Sequence, residues 1–256
     1  MYKSKKFSVR PLSDIKQDIA ILSKTYLRTK KVFLADGNAM VLTASKLLAV
    51  IDEINTHFGK LQRISSYALP KDILSKTDLE LANLKANGLK LLYVGIESGD
   101  DELLGLLNKG ENYQTTKEGI LKAHNAGIDT SVMVLTGLGG KKYSKQHALH
   151  SAELINSLNP KFLSTLNLSF PYGVDHFQER FRGEFIPLTI KGVLQEMSMF
   201  ISALNLDRTI YRSDHVSNQL VLKGNLPRDK EIMLQQINRE IQNTPGNSYP
   251  TSPLML

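Results

Sequence analysis

Along this chain, short apolar runs that stop abruptly at polar residues alternate with longer stretches in which apolar residues return every three or four positions. The runs at 32–35, 63–69, 90–97, 130–135 and 162–170 are continuous rather than alternating, as expected of parallel strands covered on both faces or lining a barrel. Helical stretches lie between them. Pro11 opens one that carries Leu12, Ile15, Ile19 and Leu22, and Thr43 caps another with Leu47, Leu48, Val50, Ile51 and Ile54, which Gly59 stops. Pro70 starts a helical region whose second part, 78–86, closes at Asn87 and Gly88, and further helices are predicted over 101–108, 116–125 and 147–158. Repeated strand–helix alternation, with connections long enough for right-handed crossovers, predicts an α/β protein built on a parallel sheet or partial barrel.

After residue 173 the rhythm changes. Residues 174–188 read as polar and irregular, 189–206 as a long amphipathic helix, 210–215 as one more short strand with a polar end, and 228–243 as a last helix. The final stretch, 244–256, holds three prolines, one glycine and no helical period, which predicts a flexible tail. The expected organisation is a barrel core over 1–173, a carboxyl-terminal extension packed on it over 174–243, and the tail.

Composition narrows the function classes. With 256 residues, 41% of them hydrophobic, the chain is long enough for one large domain with a sizeable core. Lys and Arg exceed Asp and Glu by 32 to 25, but only Lys3, Lys5, Lys6 and Arg10 cluster, and there is no Trp. That pattern describes a solvated face rather than a nucleic-acid stripe, so no nucleic-acid partner is expected. No apolar run reaches the ~18–20 residues of a membrane helix, and the basic amino terminus lacks the apolar core of a signal peptide, so the expectation is a cytoplasmic protein with no membrane partner. Cysteine is absent, which excludes disulfides, a thiolate metal site and a cysteine nucleophile from these residues.

The candidate chemistry lies where the strands end, because ligands of α/β proteins sit at the carboxyl ends of parallel strands. Four such ends fall on one predicted rim: Asp36, Gly37 and Asn38; Ser65, Ser66 and Tyr67; Glu97 and Ser98; and the loop from Gly137 through Gly139 and Gly140 that follows Leu135. Ser98, Asp100 or Asp101 could instead cap the next helix, a role that explains Glu97 less well. Carboxylates, hydroxyls and a glycine loop that lets backbone come close together suit a nucleoside-like ligand with a charged end. The glycine loop lacks the spacing of a dinucleotide or phosphate-loop motif, and a plain turn is its commoner meaning. Histidines 57, 124, 147, 150, 176 and 215 form no metal motif and read as surface or core residues, His215 excepted. It sits in a crowd of polar residues after the 210–215 run, with Arg212, Ser213, Asp214, Ser217 and Asn218. Glu97 and His215 could also serve as an acid–base pair in an enzyme that needs no cluster.

Taken in order, these segments resemble the radical S-adenosylmethionine (radical SAM) superfamily, and within it a branch of coproporphyrinogen-oxidase-like and methylthiotransferase-like proteins. The resemblance runs from Met1 to about Asn243. It implies a partial parallel (β/α) barrel that holds S-adenosylmethionine and a [4Fe–4S] cluster at its carboxyl rim. Residues 36–39 look like the segment that receives the methionine amine, 95–99 like the strand end that meets ribose and methionine, and 135–140 like the segment beside the adenine. Residues 182–185, 212–218 and 223–230 resemble the branch's carboxyl-terminal signature, while Val174, Asp175 and His176 depart from its usual proline-containing turn. The larger departure is the missing C-x3-C-x2-C motif, which lies in the family just before a segment like residues 1–7 and supplies three thiolates to the cluster. The expectation is therefore a radical SAM-type barrel without its first strand, with a carboxyl-terminal helical extension, truncated or degenerate and inactive as it stands. S-adenosylmethionine would bind weakly if at all, the substrate would be an unidentified small molecule, and the exposed strand edge would invite self-association. A non-catalytic nucleoside-binding or scaffold protein is the competing reading.

Overall fold

The computed structural model describes residues 8–250, so the cluster of Lys3, Lys5 and Lys6 and the last part of the expected tail, 251–256, lie outside the described residues. The chain begins with α1 (Leu12–Thr25), β1 (Lys31–Leu34), a 3-10 turn (Ala39–Val41), α2 (Ala44–Phe58) and β2 (Arg63–Tyr67). It continues through α3 (Pro70–Leu74), α4 (Asp78–Ala86), β3 (Leu89–Glu97), α5 (Asp101–Leu106) and α6 (Tyr113–Asn125). Then come β4 (Asp129–Thr136), α7 (Gly140–Leu158), β5 (Phe162–Asn167), α8 (Val174–Gln178), α9 (Ile190–Ala203), β6 (Thr209–Arg212), β7 (Lys223–Leu226) and α10 (Lys230–Asn243).

Among the described residues, seven strands form one sheet in the order β1-β2-β3-β4-β5-β6-β7. Strands β1 to β6 are parallel and β7 turns back antiparallel to β6, so the expected α/β partial barrel is the observed architecture. One face of the sheet is apolar and covered by helices: Ile64, Leu92, Val94, Val132, Leu163 and Tyr211 join residues from α2, α4, α6, α7 and α9 in the main core. The other face carries Phe33, Tyr67, Tyr93 and Met133, which stay outside that core and partly open. This two-sided division follows from the period of two along each strand.

Local chemistry sets the element ends. The Thr43 side chain accepts from Lys46 N at 3.4 Å, Thr77 and Glu80 form a capping box, and Asp100 caps α5 by accepting from Leu103 N at 2.7 Å. Beyond shifts of a few residues at element ends, the structure departs from the sequence reading at three elements. Helix α7 begins at Gly140, seven residues before the expected start, because the glycines belong to its first turn. Residues 174–178 form the short α8 inside a stretch expected to be irregular. Strand β7 was not expected, since Lys223, Gly224 and Asn225 give it no apolar period. At the expected tail, Ser248 O accepts from Ile190 N at 2.7 Å. No helix among the described residues is long and apolar enough to cross a membrane.

Candidate functional site

The parallel order of β1 to β4 brings the four predicted strand ends to one rim, but their residues are used differently. Asp36 (φ +65°) and Gly37 (φ +118°) form an exposed turn past β1. Asn38 is engaged on both sides: its carbonyl accepts from Met40 N at 3.0 Å, capping the 3-10 turn, and its amide donates to Asp72. Ser66 is buried and donates to Tyr67 O at 2.8 Å. At the end of β3 an extra residue between Gly95 and Glu97 shifts the register, and Glu97 takes a left-handed conformation (φ +63°) rare for a residue with a side chain. Its half-buried carboxylate accepts from Lys109 Nζ at 3.1 Å and folds back over Gly95, where an added Cβ would lie 3.1 Å from Glu97 Oε1.

Ser98 turns the other way, into a closed network. Its Oγ lies 2.8 Å from His147 Nδ1 and accepts from Asp100 N at 3.0 Å. The opposite ring nitrogen, His147 Nε2, is 3.1 Å from Leu135 O and 3.8 Å from Glu196 Oε1. Glu196 in turn accepts from Gly137 N at 2.6 Å, and its other oxygen is 2.6 Å from Ser144 Oγ. Both His147 and Glu196 are 1% exposed, so the ends of β3 and β4 are tied to α7 and α9 through groups that water does not reach. Burial raises the Glu196 carboxyl above its ordinary range; His147, the Gly137 amide and the Ser144 hydroxyl oppose that rise. The sequence reading took His147 for a surface or core residue and passed over Glu196. A signal was present: Glu196 stands among Val193, Leu194, Met197 and Phe200 on the buried side of α9, where a carboxylate needs a partner.

Close backbone approach at the glycine loop is real, but this chain itself makes it. At Gly140 (φ +55°) an added Cβ would lie 2.6 Å from Ile186 O, and at Gly139 it would lie 2.9 Å from Tyr143 Cβ. Lys141 N donates to the same Ile186 carbonyl at 2.8 Å. A second apolar cluster of Leu103, Leu138, Tyr143, Phe181 and Phe185, with Leu135 and Phe177 packed against it, covers this end of the rim.

The polar crowd after β6 mostly shapes its own loop. Ser213 is buried, donating to Leu220 O and accepting from Leu222 N, both at 2.9 Å. Asp214 pairs with Lys223 at 3.2 Å, which holds its carboxyl below the ordinary range. His215 Nδ1 accepts from Ser217 N at 3.2 Å, and Asn218 Nδ2 donates to Thr165 O at 2.8 Å, pinning the loop to β5. Glu97 and His215 thus have separate partners and share no hydrogen bond. Among the described residues no group of three or more His, Cys, Asp and Glu side chains is placed to hold a metal ion.

A family model described as the radical SAM superfamily matches residues 2–155, more than half of the chain. The chain belongs to the radical SAM superfamily. No curated protein matches it in sequence. Solved structures of similar fold include the radical SAM enzyme coproporphyrinogen III oxidase from Escherichia coli, with a TM-score of 0.60 and 18% identity over 75% of this chain and 44% of that one. HydG, a maturase of the [FeFe]-hydrogenase, has a TM-score of 0.54 and 17% identity over 81% of this chain and 45% of its own. Elp3 from the archaeon Methanocaldococcus infernus has a TM-score of 0.56 and 14% identity over 89% and 58%. This radical SAM chain therefore spans less than half the length of the first two. The family uses S-adenosylmethionine and a [4Fe–4S] cluster. The donor set here does not fit the cluster, since none of the 256 residues is a cysteine. The rim fits S-adenosylmethionine in part. Asp36, Glu97 and Leu135 remain at its surface or half-buried, whereas Asn38, Ser66, Ser98 and Gly137 are committed to internal hydrogen bonds, and Gly139 and Gly140 to packing.

Proposed function

We propose that this chain is a cytoplasmic, radical SAM-type barrel that binds the nucleoside of S-adenosylmethionine weakly and, with these residues alone, does not cleave it. The observation that carries this reading is the coexistence of two accessible rim carboxylates, Asp36 and Glu97, with the absence of every thiolate. Asp36 would accept from the ammonium of the methionine end, Glu97 from the ammonium or a ribose hydroxyl, and Leu135 would lie against the adenine. The bound molecule would contribute its positively charged sulfonium, which a rim with two carboxylates favours. Loss of the anchor that a cluster gives the methionine end removes several hydrogen bonds, at ~1 kcal/mol or more each, so the affinity is expected in the high micromolar range or weaker.

Isothermal calorimetry with S-adenosylmethionine and S-adenosylhomocysteine tests this on the parent chain, Asp36→Asn and Glu97→Gln. Weak binding by the parent and weaker binding by both variants is the expected result. No detectable binding by the parent, or equal binding by all three, would leave a scaffold role as the better account. Anaerobic treatment with iron and sulfide should give no stoichiometric [4Fe–4S] absorbance, and a stable cluster on the purified chain would overturn that part of the reading.

A further inference from the structure

The open face of the sheet holds an arrangement to which no S-adenosylmethionine contact is assigned. Phe33, Tyr67 and Tyr93, on β1, β2 and β3, meet edge to face with ring centroids 4.9, 5.3 and 6.2 Å apart. Packing among themselves does not hide them: Phe33 is 38% and Tyr67 44% exposed. The next register row runs from Gly95 to Met133, from Met133 to Ser164 and from Ser164 to Arg212, so β3, β4, β5 and β6 each place one residue in it. Arg212 lies on this face because its neighbour Tyr211 points into the helix-covered core, where its hydroxyl is 2.6 Å from Thr165 Oγ1.

This row makes a floor with different ends. Ser164 leaves it low at β5, Met133 is an adaptable apolar side chain beside it, and over Gly95 the Glu97 carboxylate folds back, paired with Lys109, its Oε1 lying 3.1 Å from where a Cβ would stand. On the β1–β3 side stands the aromatic group. On the β6 side stands Arg212, exposed, its side chain making no hydrogen bond or ion pair among the described residues. The nearby Asp214 is paired with Lys223, and the Arg212 charge affects it less than that lysine does. Three strand spacings separate Gly95 from Arg212, about 14 Å along the sheet, and an arginine side chain spans roughly half of that. A fused two-ring molecule with one carboxylate has the length to reach from the aromatic group toward a guanidinium on β6.

We propose that the open face of the barrel binds a planar aromatic carboxylate, its ring against Tyr67 and Tyr93 and its carboxylate on Arg212. Aromatic edges and faces left open by the trio favour a flat ring over an aliphatic one, and guanidinium favours a planar carboxylate through paired hydrogen bonds. The proposal rests on Tyr67, Tyr93 and Arg212, to which no S-adenosylmethionine contact is assigned, so the Arg212 and Tyr67 variants test it apart from that reading even though Glu97 borders both sites.

Ligand-observed NMR on the whole chain, with 2-naphthoate as the probe and 2-naphthamide and cyclohexanecarboxylate as controls, tests it. The expected result is saturable binding of 2-naphthoate, roughly tenfold tighter than either control. Arg212→Gln should abolish the preference for naphthoate over naphthamide, Arg212→Lys should keep part of it, and Tyr67→Leu should weaken naphthoate about tenfold while leaving the circular dichroism unchanged. Both positions tested, Arg212 and Tyr67, have exposed side chains, so the three variants should fold. Failure of naphthoate to bind, equal binding of naphthamide, or insensitivity to both substitutions would overturn the proposal. So would sedimentation showing that a second copy of the chain covers Tyr67.

Discussion

Ser98 Oγ and His147 Nδ1 stand 2.8 Å apart in a space closed to water, joining the last turn of the β3 rim to the middle of α7. The partners on either side fix the direction of the bond. His147 Nε2 faces the Leu135 carbonyl, which can only accept, so the ring proton is assigned to Nε2 and Nδ1 receives the serine proton. Ser98 Oγ is then free to accept from Asp100 N. One hydroxyl thereby sets the position of two strand ends.

Ser98→Ala should cost about 1–3 kcal/mol of stability, because it leaves His147 Nδ1 and Asp100 N buried without this partner. Urea unfolding of parent and variant measures it. A difference below about 0.5 kcal/mol would show that the network does not hold the rim.

The raised Glu196 carboxyl predicts a pH dependence with a definite sign. The folded chain keeps this proton at pH values where the unfolded chain, with an ordinary carboxyl near 4.5, has lost it. The contribution to stability is thus full below about pH 4.5 and is lost as pH rises from there through the higher folded value. Glu196→Gln keeps an acceptor for Gly137 N and cannot ionise. Its unfolding free energy should decline less than the parent's between mildly acidic and neutral pH, and parallel curves would contradict the assignment.

Gly140→Ala should destabilise by about 2–4 kcal/mol, through a left-handed backbone and a Cβ forced within 2.6 Å of Ile186 O. Gly105→Ala, in α5 with nothing within 4 Å, is the matched control and should be neutral or stabilising by about 0.5–1 kcal/mol. Thermal unfolding of the two variants should move in opposite directions from the parent, or at least differ clearly.

Tyr211→Phe should cost about 1–2 kcal/mol, since it strands the buried Thr165 hydroxyl that lies 2.6 Å from the phenol. Burial also pushes the phenol up to about 12, so alkaline spectrophotometric titration should find one tyrosine that ionises last, and it should vanish in this variant.

The residues themselves explain what could be read from the sequence. The run from Leu91 to Ile96 announced a buried strand because both its faces are covered or lumenal, and Asp100 announced a cap because a side-chain acceptor before a helix has few other uses. Reading the rim as a set of strand ends was sound, since parallel order follows from the alternation of elements. The direction of each rim side chain was not readable. Glu97 and Ser98 are neighbours, yet a left-handed residue sends one toward the open face and the other into the interior. Glu196 reaches Gly137 across 59 positions of sequence, and Gly140 answers to a carbonyl at residue 186, so no local pattern carried either relationship. Strand β7 escaped for a different reason: Lys223, Gly224 and Asn225 leave Leu226 as its one buried residue, too few to show a period.

The strands lie side by side in the order in which they are made. During synthesis each strand after β1 therefore meets its neighbour already in place, and none has to be threaded between two others formed earlier. The sheet grows at one margin only, which moves along as the chain lengthens. With β7 the direction reverses, and α10 packs on it and on α9. Every strand from β2 to β5 is thus flanked in the finished sheet by the strand made just before it and the strand made just after it.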